Sequence, residues 1–262
     1  MRTTRSDGLV RIASLARSAA SQLGRRDLSS FQAYLHRWVR PQSVRRTARA
    51  YRRTFRLTLG QWLRYHQSDV VFERCTWMGV RTWKSPLDAW IYQEILHEVR
   101  PDVVLEIGSA AGGSTLYLAH LLDLIGQGTV VSVDIDRSRF QAKHPRIVTV
   151  TGPSSSAATL EKVAALCEGK RALVIHDADH RKAQVLEDLR AYAPFVSVGS
   201  YLIVEDGIID VFRPHEALGV TYEGPLAAIE EFLRSSDWFE VDDSRERYLL
   251  TYNPRGFLRR VR

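Results

Sequence analysis

Three acidic side chains at the ends of two apolar runs are the residues of this sequence best placed to do chemistry. Asp177 ends the run 172–177, and Glu205 and Asp206 end the run 201–206. Because the carboxyl ends of neighbouring parallel strands meet at one edge of a sheet, we expect the three carboxylates to lie together. Clustered carboxylates repel one another unless they are protonated or bind a cation, and hard oxygen ligands favour Mg²⁺, with Mn²⁺ or Ca²⁺ as alternatives. The sequence therefore predicts a Mg²⁺ site at Asp177, Glu205 and Asp206; the alternative is that these acids cap the helices that follow.

A histidine three residues beyond Asp177 is the candidate general base. His180 lies in the loop expected to cover the same carboxylates, and the ordinary histidine pKa of about 6.5 suits proton removal near neutral pH. His176 lies inside the apolar run, so we interpret it as a packing residue or an orienting hydrogen-bond donor rather than a ligand.

A glycine-rich turn, EIGSAAGGS at residues 106–114, follows the first apolar run and marks a ligand site. Such a turn lets the backbone approach a ligand closely, and the helix N-terminus after it favours negative charge. Glu106 would repel a pyrophosphate and attract a cationic, amine-bearing ligand such as S-adenosylmethionine. The dinucleotide pattern G-x-G-x-x-G is absent because Ala110 takes the place of the second glycine, which weakens a nicotinamide-dinucleotide interpretation.

The next apolar run also ends in an acid. Asp134 lies 21 residues after Gly113, where a carboxylate commonly accepts hydrogen bonds from ribose hydroxyls. Asp136 points the same way if the strand continues, and we expect Ser154 or Ser155 near the adenine. The alternative is a tight turn and a strand-end acid without a ligand. The predicted S-adenosylmethionine site consists of Glu106, Gly108, Ser109, Gly113, Ser114, Asp134, Asp136, Ser154 and Ser155.

The elements that must position these residues alternate between strand and helix from residue 86 onward. The predicted strands are 103–108, 129–134, 147–150, 172–177 and 201–206, with closing strands at 239–241 and 248–252. The predicted helices are 112–124, 157–168, 181–193 and a last one after Gly224-Pro225. This alternation indicates an α/β fold with a Rossmann-like, doubly wound, mostly parallel sheet, in which ligands bind at the carboxyl ends of the strands.

Composition bounds the class of protein. The chain has 262 residues, of which 45% are hydrophobic and 26% charged, which is typical of one globular domain or of one domain with an appendage. Cys75 and Cys167 form no CxxC motif. No apolar run reaches the ~20 residues that span a bilayer, and arginines interrupt the N-terminus where a signal peptide needs an apolar core. We therefore expect a cytoplasmic protein; a mitochondrial transit peptide is the alternative interpretation of the Arg/Ser/Ala-rich start.

Residues 1–66 are predicted to form a basic helical arm in front of a domain at 67–262. The arm carries 15 arginines, no lysine and two acids, a net charge of +13, whereas the remainder carries −6. Apolar stripes at helical spacing run through 9–23, 31–39 and 44–62. Three roles stay open: docking on the protein's own body or on a second subunit of a homo-oligomer, binding to the anionic inner face of a membrane, and binding to nucleic acid, which no helix-turn-helix, zinc-finger or RNP signature supports.

The combination of motifs resembles the cephalosporin hydroxylase / rhamnosyl O-methyltransferase family over roughly residues 72–260. The resemblance rests on the segments 77–88, 92–96, 106–108, 112–114, 177–180, 199–206 and Gly224-Pro225. It implies a class I S-adenosylmethionine-dependent methyltransferase with Mg²⁺ at Asp177, Glu205 and Asp206. The implied acceptor is a hydroxyl of a sugar, as on a rhamnosyl glycolipid, or of a natural product. The region also resembles metal-dependent catechol and caffeoyl-CoA O-methyltransferases, which place a lysine base at the position of His180.

Trp83 and Lys84 lie just before the body of the domain, and we interpret them as a wall of the acceptor pocket. Lys84 joins His180 as a catalytic candidate; otherwise it is a solvated lysine.

Two other classes of protein are alternatives to an O-methyltransferase. A metal-dependent oxygenase needs two histidines and one carboxylate, and would leave Glu106 and Asp134 without a role. A non-enzymatic adaptor for membranes or nucleic acid would explain the arm but would leave the strand-end acids idle.

Overall fold

A mixed seven-stranded sheet forms the centre of this computed structural model, which describes residues 56–212 and 219–262. Its strands are β3 (Val103–Ile107), β4 (Thr129–Asp134), β5 (Ile147–Thr151), β6 (Ala172–His176), β7 (Tyr201–Val204), β8 (Phe239–Val241) and β9 (Phe257–Arg260), while β1 (Thr76–Trp77) and β2 (Val80–Arg81) form a separate hairpin. The order across the sheet is β5-β4-β3-β6-β7-β9-β8. Strands β3 to β7 pair in parallel, and β9 runs antiparallel to both β7 and β8.

Helices cover both faces of the sheet. They are α1 (Leu59–Tyr65), α2 (Phe72–Arg74), α3 (Pro86–Val99), α4 (Gly113–Ile125), α5 (Ala157–Cys167), α6 (Lys182–Tyr192) and α7 (Pro225–Ser235), and a π-helical stretch, His66–Val71, joins α1 to α2. Because side chains alternate along a strand, Leu105 packs in the core with α5, α6 and α7, whereas Val104 packs in a second core with α3 and α4. The predicted Rossmann-like, doubly wound sheet is confirmed.

The start of α4 shows how the residues at the end of β2 and just after it are brought against the sheet. Gly112 has a φ of +87°, a left-handed conformation that glycine adopts without strain, and the helix begins at the next residue. A Cβ on Gly113 would lie 2.2 Å from the carbonyl oxygen of Arg81. The absence of a side chain there therefore lets the segment after β2 pack directly on the helix N-terminus.

The predicted strand at 248–252 is wrong, and the closing strand is β9. Leu249 has a φ of +64°, which breaks an extended strand. The backbone N–H of Tyr252 donates to Oδ2 of Asp88 at 2.9 Å, so it is used by a side chain and not by a sheet neighbour. Gly256 then allows a close approach to β7, because a Cβ there would lie 2.1 Å from the carbonyl oxygen of Val204.

Residues 60–262 form one compact unit. The predicted boundary between residues 66 and 67 falls inside the helical stretch from α1 to α2, where Leu63 and Val71 pack with Tyr252 in a small apolar cluster. Trp62, the last member of the third predicted stripe, stacks on His66 with ring centroids 4.6 Å apart. The helices predicted within residues 1–55 lie outside the described residues. In the described ranges, no helix is long and apolar enough to cross a bilayer.

Candidate active site

A cavity of about 810 Å³ opens at the carboxyl ends of the parallel strands, within the range of about 300–1,000 Å³ found for ligand sites. The winding of the sheet reverses between β3 and β6, and open α/β sheets bind ligands at such a point. The predicted site residues that line the cavity are Lys84, Gly108, Ser109, Gly113, Ser114, Asp134, Ser154, Ser155, Asp177, His180 and Asp206. Glu106, Asp136 and Glu205 do not line it.

Gly108 joins the glycine-rich turn to the end of the neighbouring strand. Its φ is +85°, and a Cβ there would lie only 1.9 Å from the carbonyl oxygen of Asp177. The backbone N–H of Asp177 donates to the carbonyl of Ile107 at 2.8 Å. The predicted cofactor turn and the predicted metal site are therefore in direct backbone contact.

Asp134 holds the glycine-rich turn in place from the end of β4. Its Oδ2 accepts hydrogen bonds from the backbone N–H groups of Ser109 at 2.8 Å and Ala110 at 3.0 Å. Burial raises the pKa of Asp134, but hydrogen bonds led by that from Ser109 outweigh burial and leave the pKa below its usual value. Asp136 is exposed, and its carboxylate accepts from the N–H and the hydroxyl of Ser138 at 2.8 and 2.7 Å. Only the first of these two acids faces the cavity.

Glu106 lies beneath the cavity rather than in its wall. Its side chain is completely buried, and Oε2 accepts a hydrogen bond from the hydroxyl of Thr115. In the described parts of the chain Oε1 has no hydrogen-bond partner. Burial raises the pKa of Glu106 above its usual value, against the opposing effect of the Lys84 charge. The carboxylate of Glu106 is therefore not part of the cavity surface in this structure.

Asp177, His180 and Asp206 form a cluster whose geometry fits a metal ion. Each offers one ligand atom, and the three atoms lie within 4.8 Å of one another. Nε2 of His180 is 3.3 Å from Oδ2 of Asp206. Burial, reinforced by the charge of Asp177, raises the pKa of Asp206 to about 6. The cluster thus concentrates negative charge at the cavity wall, and its carboxylate oxygens are the donors that Mg²⁺ prefers.

Lys84 forms ion pairs with two of the three predicted metal ligands. Its ammonium donates to Oδ2 of Asp177 at 2.6 Å and to Oε1 of Glu205. The carboxylate of Glu205 thus shares the lysine with Asp177, and it is not one of the three side chains that group around one point. Burial lowers the pKa of Lys84, but the two carboxylates outweigh burial and hold the pKa above its usual range. The ammonium of Lys84 therefore serves as the ion-pair partner of both carboxylates.

Asn253 orients two of the strand-end acids and was not predicted from the sequence. Its Oδ1 accepts from the backbone N–H of Asp206 at 3.2 Å, and its Nδ2 donates to the hydroxyl of Tyr92 at 2.9 Å. The Tyr92 hydroxyl in turn bonds to Glu205. Asp206 has a φ of +59°, a conformation that non-glycine residues adopt at some cost. No motif marks Asn253, which lies 47 residues beyond Asp206 in the chain.

Two further side chains hold Ser109 and Ser154 in the cavity wall, and they were also missed. Asp188 is fully buried and accepts from the hydroxyl of Ser154 at 2.7 Å and from Nε2 of His176 at 2.9 Å. Arg137 donates through Nη1 to the hydroxyl of Ser109 at 2.7 Å and through Nη2 to a carbonyl of β5. The sequence offers a weak indication for Arg137, which lies three residues after the strand-end acid Asp134. A basic side chain at that distance can reach the same glycine-rich turn that the acid contacts.

The strand order, the single reversed strand β9 and a cavity beside a glycine-rich turn define a class I methyltransferase fold. A profile of the family described as Rhamnosyl O-methyltransferase/CmcI matches residues 69–261. The chain is 36% identical over 206 residues to a rhamnosyl O-methyltransferase of Mycobacterium leprae (strain TN), a match that covers 76% of this chain and 88% of the relative. It is 32% identical over 207 residues to a rhamnosyl O-methyltransferase of Mycobacterium tuberculosis (strain ATCC 25618 / H37Rv), covering 76% of this chain and 83% of the relative.

Solved structures give the same result. A CmcI structure described as holding Mg and SAM is similar with a TM-score of 0.58 and 25% identity, covering 74% of this chain and 79% of that chain. The chain belongs to the Rhamnosyl O-methyltransferase/CmcI family and is an O-methyltransferase. The resemblance stated from the sequence is confirmed.

Proposed function

We propose that this O-methyltransferase uses S-adenosylmethionine and Mg²⁺ to methylate a hydroxyl of a sugar, of the kind found on a rhamnosyl glycolipid or a glycosylated natural product. One observation carries the proposal: the cluster of Asp177, His180 and Asp206 opens into the same cavity as the glycine-rich turn after β3. A methyl donor on the turn and an acceptor at the cluster would therefore face each other. The names of the relatives support a rhamnosyl acceptor.

The donor half of the cavity fits S-adenosylmethionine. Gly108 and Gly113 expose the backbone of the turn, and Asp134 stands beside it with Oδ1 partly free for ribose hydroxyls. Ser154 and Ser155 line the part expected to hold adenine. The remaining predicted contacts, Glu106, Ser109, Ser114 and Asp136, stay part of the proposal, with Glu106 acting from below as a counter-charge to the sulfonium. A CmcI relative described as holding Mg and SAM supports both cofactors.

The acceptor half fits a divalent cation. Asp177 and Asp206 supply oxygen donors at one point of the cavity wall, and a ring nitrogen of His180 lies beside them. The predicted third ligand, Glu205, bonds to the ammonium of Lys84 through Oε1, so it would approach the ion through its other carboxylate oxygen. S-adenosylmethionine supplies a methyl group on a positively charged sulfur, and Mg²⁺ supplies a Lewis acid that lowers the pKa of an acceptor hydroxyl.

His180 is proposed to take the proton of the acceptor hydroxyl. Nε2 of His180 faces Asp206, so the ring can donate there and leave Nδ1 to accept the proton. The oxygen–methyl bond forms as the sulfur–methyl bond breaks, and the imidazolium that results is stabilised by the Asp206 carboxylate. Lys84 keeps the carboxylates of Asp177 and Glu205 in place through its ammonium group. Holding the two reacting groups in line accounts for much of the acceleration in reactions of this kind.

The basic arm at residues 1–66 is proposed to bring the enzyme to a lipid-linked acceptor. Its net charge of +13 suits the anionic inner face of a membrane, where each basic residue contributes about 1 kcal/mol. Docking on a second copy in a homo-oligomer is the alternative. Co-sedimentation with anionic and neutral vesicles tests the membrane role: binding to both kinds equally, in low and high salt, would contradict it.

Methylation of defined sugars tests the proposed acceptor. The purified full-length chain is incubated with S-adenosylmethionine, MgCl₂ and, in separate reactions, methyl α-L-rhamnopyranoside, methyl α-D-glucopyranoside and catechol. We expect mass spectrometry to find a singly methylated rhamnoside as the principal product. Methylation of catechol with neither sugar modified would replace the sugar acceptor by an aromatic diol.

A further inference from the structure

Two large aromatic side chains remain exposed at the rim of the cavity. Phe72 is 43% exposed and Trp83 is 38% exposed, and both line the cavity. Their ring centroids lie 6.2 Å apart at an interplanar angle of 84°, an edge-to-face pair. The guanidinium of Arg139 lies 5.7 Å from the centre of the Trp83 ring. Exposed rings that converge on a cavity are typical of a binding surface rather than of a core.

The neighbours of Trp83 in the chain locate it between the two halves of the site. Thr82 and Lys84 are buried while Trp83 is exposed, so the side chains alternate as in an extended segment. The Cβ of Thr82 lies 2.6 Å from where a Cβ on Gly113 would stand, and the ammonium of Lys84 reaches Asp177. Trp83 lies between these two residues in the chain and lines the same cavity as Gly113 and Asp177, where donor and acceptor would meet.

Arg139 adds hydrogen-bonding capacity to this apolar surface. A guanidinium carries five N–H donors. Arg139 lies over the Trp83 ring and near enough to Asp136 for its charge to help lower the pKa of that carboxyl. The rim thus offers flat aromatic surface together with donors, which fits a ligand that has an apolar face and hydroxyls at its edge. A pyranose ring has both: C–H bonds project from its faces and hydroxyls from its rim.

We propose that Trp83 and Phe72 form the acceptor platform of the enzyme, stacking against the C–H face of the sugar ring whose hydroxyl is methylated, while Arg139 donates to the hydroxyls at the ring edge. This inference rests on the proposed sugar acceptor. Aromatic rings have few rotatable bonds, so they lose little conformational entropy when they bind a ligand. The platform determines which acceptor sits at the cluster and leaves the chemistry itself to Asp177, His180 and Asp206.

Steady-state kinetics on methyl α-L-rhamnopyranoside test the platform. We expect Trp83→Ala to raise KM for the rhamnoside about tenfold while kcat changes much less, because stacking holds the ground state and the transition state alike. Trp83→Phe should recover most of the loss, and Phe72→Ala should show a smaller increase. Trp90→Ala is the matched control, because Trp90 is 58% exposed on α3 and does not line the cavity.

A binding measurement independent of turnover accompanies the kinetics. Saturation-transfer NMR with S-adenosylhomocysteine and MgCl₂ present should show transfer from aromatic protons to the ring protons of the rhamnoside, and Trp83→Ala should lose it. An unchanged KM in a folded Trp83→Ala enzyme would overturn the platform and leave the proposed function standing. Weaker S-adenosylhomocysteine binding with an unchanged rhamnoside KM would assign the rim to the cofactor and also overturn it. A wild-type enzyme that methylates no sugar would remove the proposed function, and the platform with it.

Discussion

The ammonium of Lys84 lies 2.6 Å from Oδ2 of Asp177, although the two residues are 93 positions apart in the chain. The contact joins the segment before α3 to the end of β6, the strand that carries the first acid of the cluster. A cation contributed from outside the sheet therefore neutralises part of the negative charge at the strand ends. The site depends on this segment as well as on the sheet itself.

Removing the Lys84 charge should destabilise the protein in a way that a divalent cation corrects. Lys84→Met leaves the buried Glu205 and the partly buried Asp177 without their partner, and breaking a buried ion pair costs about 3–5 kcal/mol. We expect a lower free energy of unfolding in chelator and a partial recovery with excess MgCl₂, measured by chemical denaturation. Lys162→Met, at an exposed position on α5, should change neither value. Equal stability of Lys84→Met and wild type in chelator would show that the pair contributes nothing.

The two acids near the end of β4 should differ in their effect on cofactor binding. Asp134 accepts from the turn and lines the cavity, whereas Asp136 is exposed and bonds to Ser138. Asp134→Asn should therefore weaken binding of S-adenosylhomocysteine by about tenfold or more, because hydrogen bonds to a charged group contribute about 1.5–3 kcal/mol. Asp136→Asn should bind nearly as wild type. Isothermal titration calorimetry of both variants measures this, and similar losses in both would contradict the assignment.

Asn253 is expected to act on the cluster through Asp206 without touching a ligand. Asn253→Ala removes the acceptor of the Asp206 N–H and the donor to Tyr92. Residues that orient metal ligands typically contribute 10–100-fold in metal affinity, so we expect a loss of about that size in Mn²⁺ affinity, measured by electron paramagnetic resonance. Asn253→Asp retains the acceptor and should lose less. Wild-type Mn²⁺ affinity in a folded Asn253→Ala protein would reduce the residue to a packing role.

Much of this architecture followed from the sequence because it depends on local patterns. Apolar runs that alternate with helical spacing predict the parallel strands, and the acids that end those runs then fall at one edge of the sheet. The wrongly predicted strand at 248–252 has a specific cause. The backbone N–H of Tyr252 donates to the buried carboxylate of Asp88 instead of to a neighbouring strand. Sequence pattern does not reveal such a long-range hydrogen bond.

Contacts between side chains that are far apart in the chain could not be predicted from the sequence. The position of Lys84 between Asp177 and Glu205 depends on how an irregular segment packs on the sheet, and the spacing of the acids alone suggested one undivided ligand set. Asn253 carries no motif, because an asparagine near the C-terminus gains its role only when β9 pairs with β7. The burial of Glu106 likewise follows from its register within β3.

The pH dependence of stability should carry a contribution from Asp88. Burial raises the pKa of this carboxyl to about 6, against hydrogen bonds from Thr251 and Tyr252, while the ordinary value is 3.8. Between pH of about 4 and about 6, Asp88 is therefore protonated in the folded state and ionised in the unfolded state. The free energy of unfolding falls as pH rises through this interval. The shift of about two units corresponds to about 3 kcal/mol.

Comparison of Asp88→Asn with wild type isolates this contribution. Urea denaturation gives the free energy of unfolding of both proteins. From pH of about 4 to about 6 the variant should gain stability relative to wild type, and above pH 7 the difference should stay constant. Asp243→Asn, at an exposed position, should track the wild type throughout. A difference between Asp88→Asn and wild type that does not vary with pH would show that the pKa of Asp88 is the same in the folded and unfolded states.

Methyl transfer with and without a divalent cation tests whether the cluster of Asp177, His180 and Asp206 works through a metal ion. We expect wild-type enzyme, given S-adenosylmethionine, MgCl₂ and methyl α-L-rhamnopyranoside, to yield a product heavier by one methyl group. EDTA should stop its formation, and Mg²⁺ or Mn²⁺ should restore it. Asp177→Asn should lose turnover while still binding S-adenosylhomocysteine, because Asp134 and the glycine-rich turn remain intact. Full turnover in EDTA, together with an unimpaired Asp177→Asn enzyme, would show that the carboxylate cluster is structural and would contradict the account.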